Sequence, residues 1–233
     1  MNDLPLPPRA VVFDLDGTLL DTLDDLADSG NAALNTLGFP THPADSYRWF
    51  VGLGVAELAR RMLPESARDD ATVGRACALV VEEYKARWKD RTRPYDGVPE
   101  MLEALAASGL PLCVLSNKPQ NFTEITVRQF FPGFPFRMVC GARPEVPSKP
   151  HPAGALAIAG ELGVAPGAFC FVGDSATDMK TARGAGMLPV GVLWGFRPES
   201  ELVENGARLL VAHPGELPSA MGLGLGLGQG RAG

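Results

Sequence analysis

The sequence predicts an α/β protein: a mostly parallel sheet with helices on both faces, interrupted once by an α-helical insertion. Three observations predict it. Short apolar, β-rich runs recur along the chain. Helix-patterned segments lie between the later runs, and that alternation gives parallel strands joined by crossover helices. One long interval, 22–93, shows helical patterning and no strand signal.

The first strand is Ala10–Asp14. The interval after it holds three helix-patterned stretches. Leu26, Gly30, Ala33, Leu34 and Leu37 share one helix face; Val55, Leu58, Ala59 and Met62 share another. Val73–Trp88 reads as a third, longer helix. Such a block reads as a separate helical subdomain. It returns through Arg93-Pro94-Tyr95-Asp96-Gly97, a Pro/Gly turn suited to a hinge. Val98–Ser108 follows as a helix, with Met101, Leu102, Leu105 and Ala106 at helical spacing. Leu112–Ser116 and Arg137–Cys140 are strands, Ala153–Leu162 a helix, Phe169–Gly173 a strand and Ser175–Ala185 a helix. Pro189–Leu193 and Leu209–Val211 are the last strands. From Met221 the chain reads MGLGLGLGQGRAG, and that much glycine weakens any strand. The expected domains are a sheet core of 1–21 and 94–220, a helical unit of 22–93 and a frayed tail of 221–233.

Composition narrows the function. With 233 residues, 45% of them hydrophobic, the chain can bury one large core with an insert. The net charge is −6 and the basic residues are scattered, with Arg60-Arg61 the sole adjacent pair, which argues against a nucleic-acid surface. Cys77, Cys113, Cys140 and Cys170 have neither zinc-knuckle nor redox-pair spacing. Buried, reduced thiols are expected, as in a cytoplasmic protein. The opening MNDLPLPPR has no apolar run, so no signal peptide is expected. No segment approaches a membrane span.

The chemistry lies at the strand tips. Asp14 and Asp16 alternate out of an extended segment toward the same side, and Gly17 permits a sharp turn close to a ligand. Two such carboxylates suit a hard divalent ion with oxygen ligands, or attack by one carboxylate and proton transfer by the other. A turn with Asp caps fits the stretch equally well. Asp174 ends a second apolar run, with Asp178 one helical turn later. An N-capped helix with acidic residues near its dipole is the alternative there. Ser116, in SNKP, offers a hydroxyl, free backbone N–H groups and a helix start, a combination that favours phosphate. Lys149, in PSKPHP, is stiffened by three prolines and loses less entropy on clamping an anion.

In chain order, DLDGT, the serine of SNKP, the lysine of PSKPHP and GDSATD resemble the four motifs of the haloacid dehalogenase (HAD) superfamily of phosphatases. The resemblance spans about Arg9 to Val211. SNKP, KPHP, VGDSATDMKTARGAGM and VGVLWGF look like segments of bacterial phosphoglycolate phosphatases and their near relatives.

This resemblance implies a Rossmann-like, HAD-like core with the insertion as a small α-helical cap. It makes Asp14 the nucleophile and Asp16 the general acid, then the base. It implies Mg²⁺ held by Asp14, the backbone carbonyl of Asp16, Asp174 and, directly or through water, Asp178. Ser116, Lys149 and the backbone N–H of Asn117 would bind the phosphoryl oxygens. Thr18 either hydrogen-bonds Asp16 or caps the turn. Lys118 either reaches the substrate or faces solvent. Asp21 starts the first cap helix. For substrate choice the candidates are Arg48, Gly52, Gly54 and Arg60: arginine to pair with a carboxylate, glycines to let backbone N–H groups approach a second anion. Gly52 and Gly54 also fit a plain loop before a helix.

The expected activity is Mg²⁺-dependent phosphomonoester hydrolysis through a phospho-aspartate, with 2-phosphoglycolate as first-choice substrate. The alternatives are hydrolysis of another small ester (a sugar phosphate or nucleotide), a β-phosphoglucomutase-like phosphomutase, and a non-enzymatic phosphate-binding regulator. The expected partner is a small phosphorylated metabolite, with no nucleic acid or membrane, and the chain is expected to be a monomer or homodimer.

Overall fold

A computed structural model describes residues 7–223. Strand β1 (Ala10–Phe13) lies in the middle of a six-stranded sheet. Its neighbours are β4 (Leu112–Pro119) and β6 (Phe169–Gly173), both parallel to it. Outside β4 lies β5 (Met138–Ala142); beyond β6 lie β7 (Leu188–Val192) and β8 (Leu209–Val211). All five pairings are parallel, so this is the α/β fold class that the sequence predicts.

The sheet is covered on both faces, and β1 shows why its residues are all apolar. Val11 and Phe13 pack into one core with Met101 and Leu102 of α5 (Val98–Ala107) and with Val127 of α6 (Gln120–Phe130). Ala10 and Val12, alternating to the other face, meet Ile158 of α7 (Ala153–Leu162) and Ala182 of α8 (Ala176–Ala185).

The interval without strand signal is helical. It holds α1 (Leu23–Leu37), α2 (Tyr47–Phe50), α3 (Val55–Met62) and α4 (Asp70–Arg87). These share their own core of Leu26, Leu34, Tyr47, Leu58, Met62 and Val80, into which Phe122 and Phe196 from the sheet unit also reach. The chain leaves and re-enters through a two-residue antiparallel ribbon, β2 (Leu20–Asp21) against β3 (Arg93–Pro94). Beside it, buried Asp25 of α1 accepts from the Thr92 N–H (2.8 Å), the Thr92 hydroxyl (2.7 Å) and the Arg91 N–H (3.0 Å). Asp21 accepts from the Leu23 N–H (3.3 Å) where α1 begins and pairs with Arg93 (3.2 Å).

The differences from expectation are local. Strand β4 runs on to Pro119 and shifts register between Leu115 and Pro119, a bulge that re-aims its tip. Strand β1 ends one residue early, β5 covers Met138–Ala142, and β7 starts at Leu188. Helices α2, α9 (Glu199–Glu204) and α10 (Leu217–Ala220) are too short to show a helical period in sequence. Most of the tail lies outside the described residues, but Met221, expected to be frayed, is fully buried in the sheet core. All four cysteines are free thiols; Cys113 and Cys170 are buried, Cys77 and Cys140 partly so. Among the described residues no helix is long and apolar enough to cross a membrane.

Candidate active site

Strand order places the site. Because β4, β1 and β6 are adjacent and parallel, Ser116, Asp14 and Asp174 all emerge at one edge of the sheet. That edge, at the carboxyl ends of the strands, is where such sheets bind ligands.

Asp14, Asp174 and Asp178 are all buried, and one carboxylate oxygen from each lies within 4.8 Å of the others. Asp178 is fixed first. It is the third residue of α8 and forms a capping box with Ser175, accepting at Oδ2 from the Ser175 N–H (3.1 Å) and hydroxyl (2.7 Å). Ser175 is therefore the cap and not the first helical residue. Asp174 accepts from the Phe196 N–H (2.7 Å), in the loop after β7. Gly17, at φ 86°, lets the loop after β1 close on the same carboxylate; a Cβ there would collide with Asp174 Oδ2.

Lys149 lies among these acids. Its ammonium is 2.8 Å from Asp14 Oδ1 and 2.7 Å from Asp178 Oδ1. Asn117 holds the lysine's backbone from both sides, donating to the Lys149 carbonyl (2.8 Å) and accepting from its N–H (2.9 Å). The Asn117 amide also donates to the Gly52 carbonyl of the helical insertion (3.0 Å). The family resemblance implies a role for the backbone N–H of Asn117 alone, whereas its side chain ties three segments together.

Electrostatics follow from burial. Desolvation first, then the charges of Asp178 and Asp174, push the Asp14 carboxyl well above its ordinary range, against the opposing pull of Lys149. Desolvation and Asp178 raise Asp174 to about 7, with the Phe196 N–H opposing. Burial alone would lower the Lys149 pKa, but Asp14 and Asp178 outweigh it and keep the ammonium charged. Three buried carboxylates served by one lysine leave an excess of negative charge. An oxygen-only set of this kind fits a hard divalent cation such as Mg²⁺.

Asp16 stands apart from that cluster. Its carboxylate is held by Lys118, with Nζ 2.9 Å from Oδ1 and 3.1 Å from Oδ2. Lys118 does not face solvent; its side chain is 4% exposed and its ammonium lies 4.7 Å from the centre of the Tyr84 ring. Burial would lower its pKa, but the Asp16 charge raises it on balance. The Ser116 hydroxyl accepts from the Lys118 N–H (3.1 Å). Thr18 does not hydrogen-bond Asp16: its buried hydroxyl has no protein partner, and its carbonyl accepts from the Trp194 indole (2.9 Å).

A cavity of about 80 Å³ opens between the sheet edge and the helical insertion. Asp14, Asp16, Ser116, Asn117 and Lys118 form its polar floor, and Gly52 and Gly54 reach it from the insertion. The candidate arginines do not line it. Arg48 is paired with Asp45 (2.6 Å) and donates to the Gly195 carbonyl (3.1 Å). Arg60 is paired with Asp70 (3.1 Å) and donates to the Arg68 carbonyl (3.0 Å). Both are used structurally: Arg48 by Asp45 three residues before it and by the distant Gly195 carbonyl, Arg60 by partners across the following loop.

Residues 11–192 match the haloacid dehalogenase-like hydrolase family. The chain belongs to that family. It is 36% identical over 193 residues to the phosphoglycolate phosphatase of Pseudomonas putida, covering 81% of this chain and 71% of that one. It is 34% identical over 208 residues to the phosphoglycolate phosphatase of Thiobacillus denitrificans, covering 87% and 92%. Among solved structures, a predicted phosphoglycolate phosphatase from Haemophilus somnus superposes with a TM-score of 0.85 at 27% identity, covering 92% of this chain and 98% of the other.

Proposed function

We propose that this hydrolase is an Mg²⁺-dependent phosphomonoesterase that works through phosphorylated Asp14 and takes 2-phosphoglycolate as its substrate. One observation carries the reading. Asp14 belongs at once to the three-carboxylate cluster and to the floor of the cavity, so it can face a substrate and a cation together.

The residues take these roles. Asp14 attacks phosphorus as the ester P–O bond breaks, and the leaving alkoxide takes a proton from Asp16. Lys118 holds Asp16 as a carboxylate in the resting site, and Asp16 takes up that proton from solvent before the step. Asp16, now a carboxylate, deprotonates the water that hydrolyses the acyl phosphate. Lys149 and Ser116 hold the phosphoryl oxygens, with the Asn117 N–H beside them. Lys118 fixes Asp16 at the cavity floor. Asp14, the Asp16 carbonyl and Asp174 would hold Mg²⁺, which when bound supplies positive charge that lets an anionic carboxylate approach an anionic ester. Asp178 has both oxygens engaged by Lys149 and Ser175, which favours a contribution through water. In this reading 1–21 and 94–220 form the catalytic core and 22–93 the cap, which shields the acyl phosphate from bulk water.

The apolar walls of the cavity, with Leu26, Val55, Leu58 and Val80 from the insertion, support a small ester with few hydroxyls. The similarity to phosphoglycolate phosphatases supports the same choice. The test is phosphate release from 2-phosphoglycolate, hexose phosphates and nucleoside monophosphates, with Mg²⁺ and with chelator. Turnover that survives chelation would remove the metal from the account, and hexose phosphate isomerisation without free phosphate would make the enzyme a mutase.

A further inference from the structure

The cavity has one feature that phosphoryl transfer does not use. Above its polar floor the walls are apolar, built from Leu26, Val55, Leu58, Val80 and Phe122. Among the described residues lining it, Lys118 is the sole lysine or arginine. Asp16 engages the ammonium, yet an ammonium has three N–H donors and can serve a second acceptor. Tyr84 lines the same cavity, and its buried hydroxyl has no hydrogen-bond partner in the protein. A buried phenol left unpaired costs stability unless a ligand satisfies it.

These observations describe the leaving-group side of the pocket. Apolar walls leave the many hydroxyls of a sugar without partners. One cation and one hydroxyl, side by side in a dry enclosure, instead suit a single compact anion. We infer that Lys118 and the Tyr84 hydroxyl form a carboxylate-recognition site, so that the enzyme selects short phosphate esters of hydroxy acids over esters whose alcohol part carries no charge. The cation comes from the sheet edge and not from the arginines of the helical insertion. Because Lys118 also grips Asp16, a carboxylate bound to it brings the ester oxygen of a short substrate next to the acid that protonates it. This inference rests on the phosphatase reading and specifies its substrate class.

The experiment is a ratio. The kcat/KM for 2-phosphoglycolate is measured against that for ethyl phosphate, which matches it in carbon count but has no carboxylate, in wild type, Lys118→Met and Tyr84→Phe. A charge-assisted hydrogen bond in a dry site predicts a wild-type preference of about 100-fold or more. The preference is expected to collapse to within a few-fold in Lys118→Met and to shrink about 10-fold in Tyr84→Phe. Circular dichroism confirms that both variants are folded, and Lys118→Arg is expected to recover part of the preference. Loss of rate shared equally by both esters in Lys118→Met would confine the lysine to holding Asp16 and overturn the inference. Equal use of both esters by wild type would overturn it too and leave the phosphatase reading standing. No phosphate release from any ester would overturn both.

Discussion

Replacing Asp174 by asparagine separates folding from function at this site. Asp174 is 2% exposed, and burial followed by the charge of Asp178 moves its carboxyl from 3.8 to about 7. A carboxyl raised in this way binds its proton more tightly in the folded chain than in the unfolded one. Between pH 3.8 and about 7 the folded state carries the extra proton, so metal-free stability falls as pH rises through that window. At about 1.4 kcal/mol per pH unit, full ionisation of Asp174 costs the metal-free fold roughly 4 kcal/mol. Asparagine is neutral throughout, and its side-chain oxygen can still accept from the Phe196 N–H. Metal-free Asp174→Asn is therefore expected to be more stable than metal-free wild type near pH 8, by up to about 4 kcal/mol or roughly 10 °C in Tm. The advantage vanishes near pH 4. Millimolar Mg²⁺ raises the wild-type Tm near pH 8 by selective binding to the folded state and leaves the variant almost unmoved. Thermal melts in chelator and in MgCl₂, across that pH range, read every arm. A variant less stable than wild type near pH 8 without metal, or an advantage that grows toward acid, would refute the argument that these carboxylates are crowded to receive a cation.

Other substitutions test neighbouring parts. Lys149→Met leaves Asp14 and Asp178 without their shared cation, so metal-free protein loses about 3–5 kcal/mol in denaturant titrations. The same change lowers kcat about 100- to 1,000-fold by removing a phosphoryl clamp. Asp25→Ala strands three donors on Arg91 and Thr92, with an expected cost of roughly 3 kcal/mol and no direct effect on the chemistry. Arg197 donates to the Arg48 carbonyl and, at 3.1 Å, to the Val51 carbonyl, and it stacks over Trp49. Arg197→Ala is expected to speed amide exchange in the segment 47–54, read by hydrogen–deuterium mass spectrometry, while β1 and β6 keep their protection.

Much of the fold is legible because its signals are local. Ala10–Phe13 and Phe169–Gly173 are apolar runs cut short by aspartate, and in a parallel sheet such ends share one edge. The helical insertion shows through the spacing of Leu26, Ala33 and Leu34 and the lack of strand signal around it. Tertiary partners are less accessible. In sequence Lys118 fits the substrate side or solvent equally well, and only the fold brings it to Asp16, a residue 102 positions away. Arg48 and Arg60 carry the right chemistry for a carboxylate, but nearby Asp45 and Asp70 engage them. Thr18 sits beside Asp16 in sequence, yet its hydroxyl is enclosed away from it. The Phe196 N–H that holds Asp174 is a backbone group, which no residue type advertises; the WGF of the loop, with Gly195 at its centre, is the nearest trace.

The proposed hydrolysis requires a phosphoryl group to reach Asp14. Acetyl phosphate is a small donor whose leaving group needs no proton, so Asp16→Asn enzyme should accept its phosphoryl group and fail to release it. Acid quenching followed by peptide mass spectrometry reads the site. Asp14 is expected to be phosphorylated in the Asp16→Asn protein, and no residue is expected to be once Asp14→Asn is added. A phosphoryl group on any other residue, or phosphate release from 2-phosphoglycolate at the wild-type rate by Asp14→Asn, would contradict this mechanism.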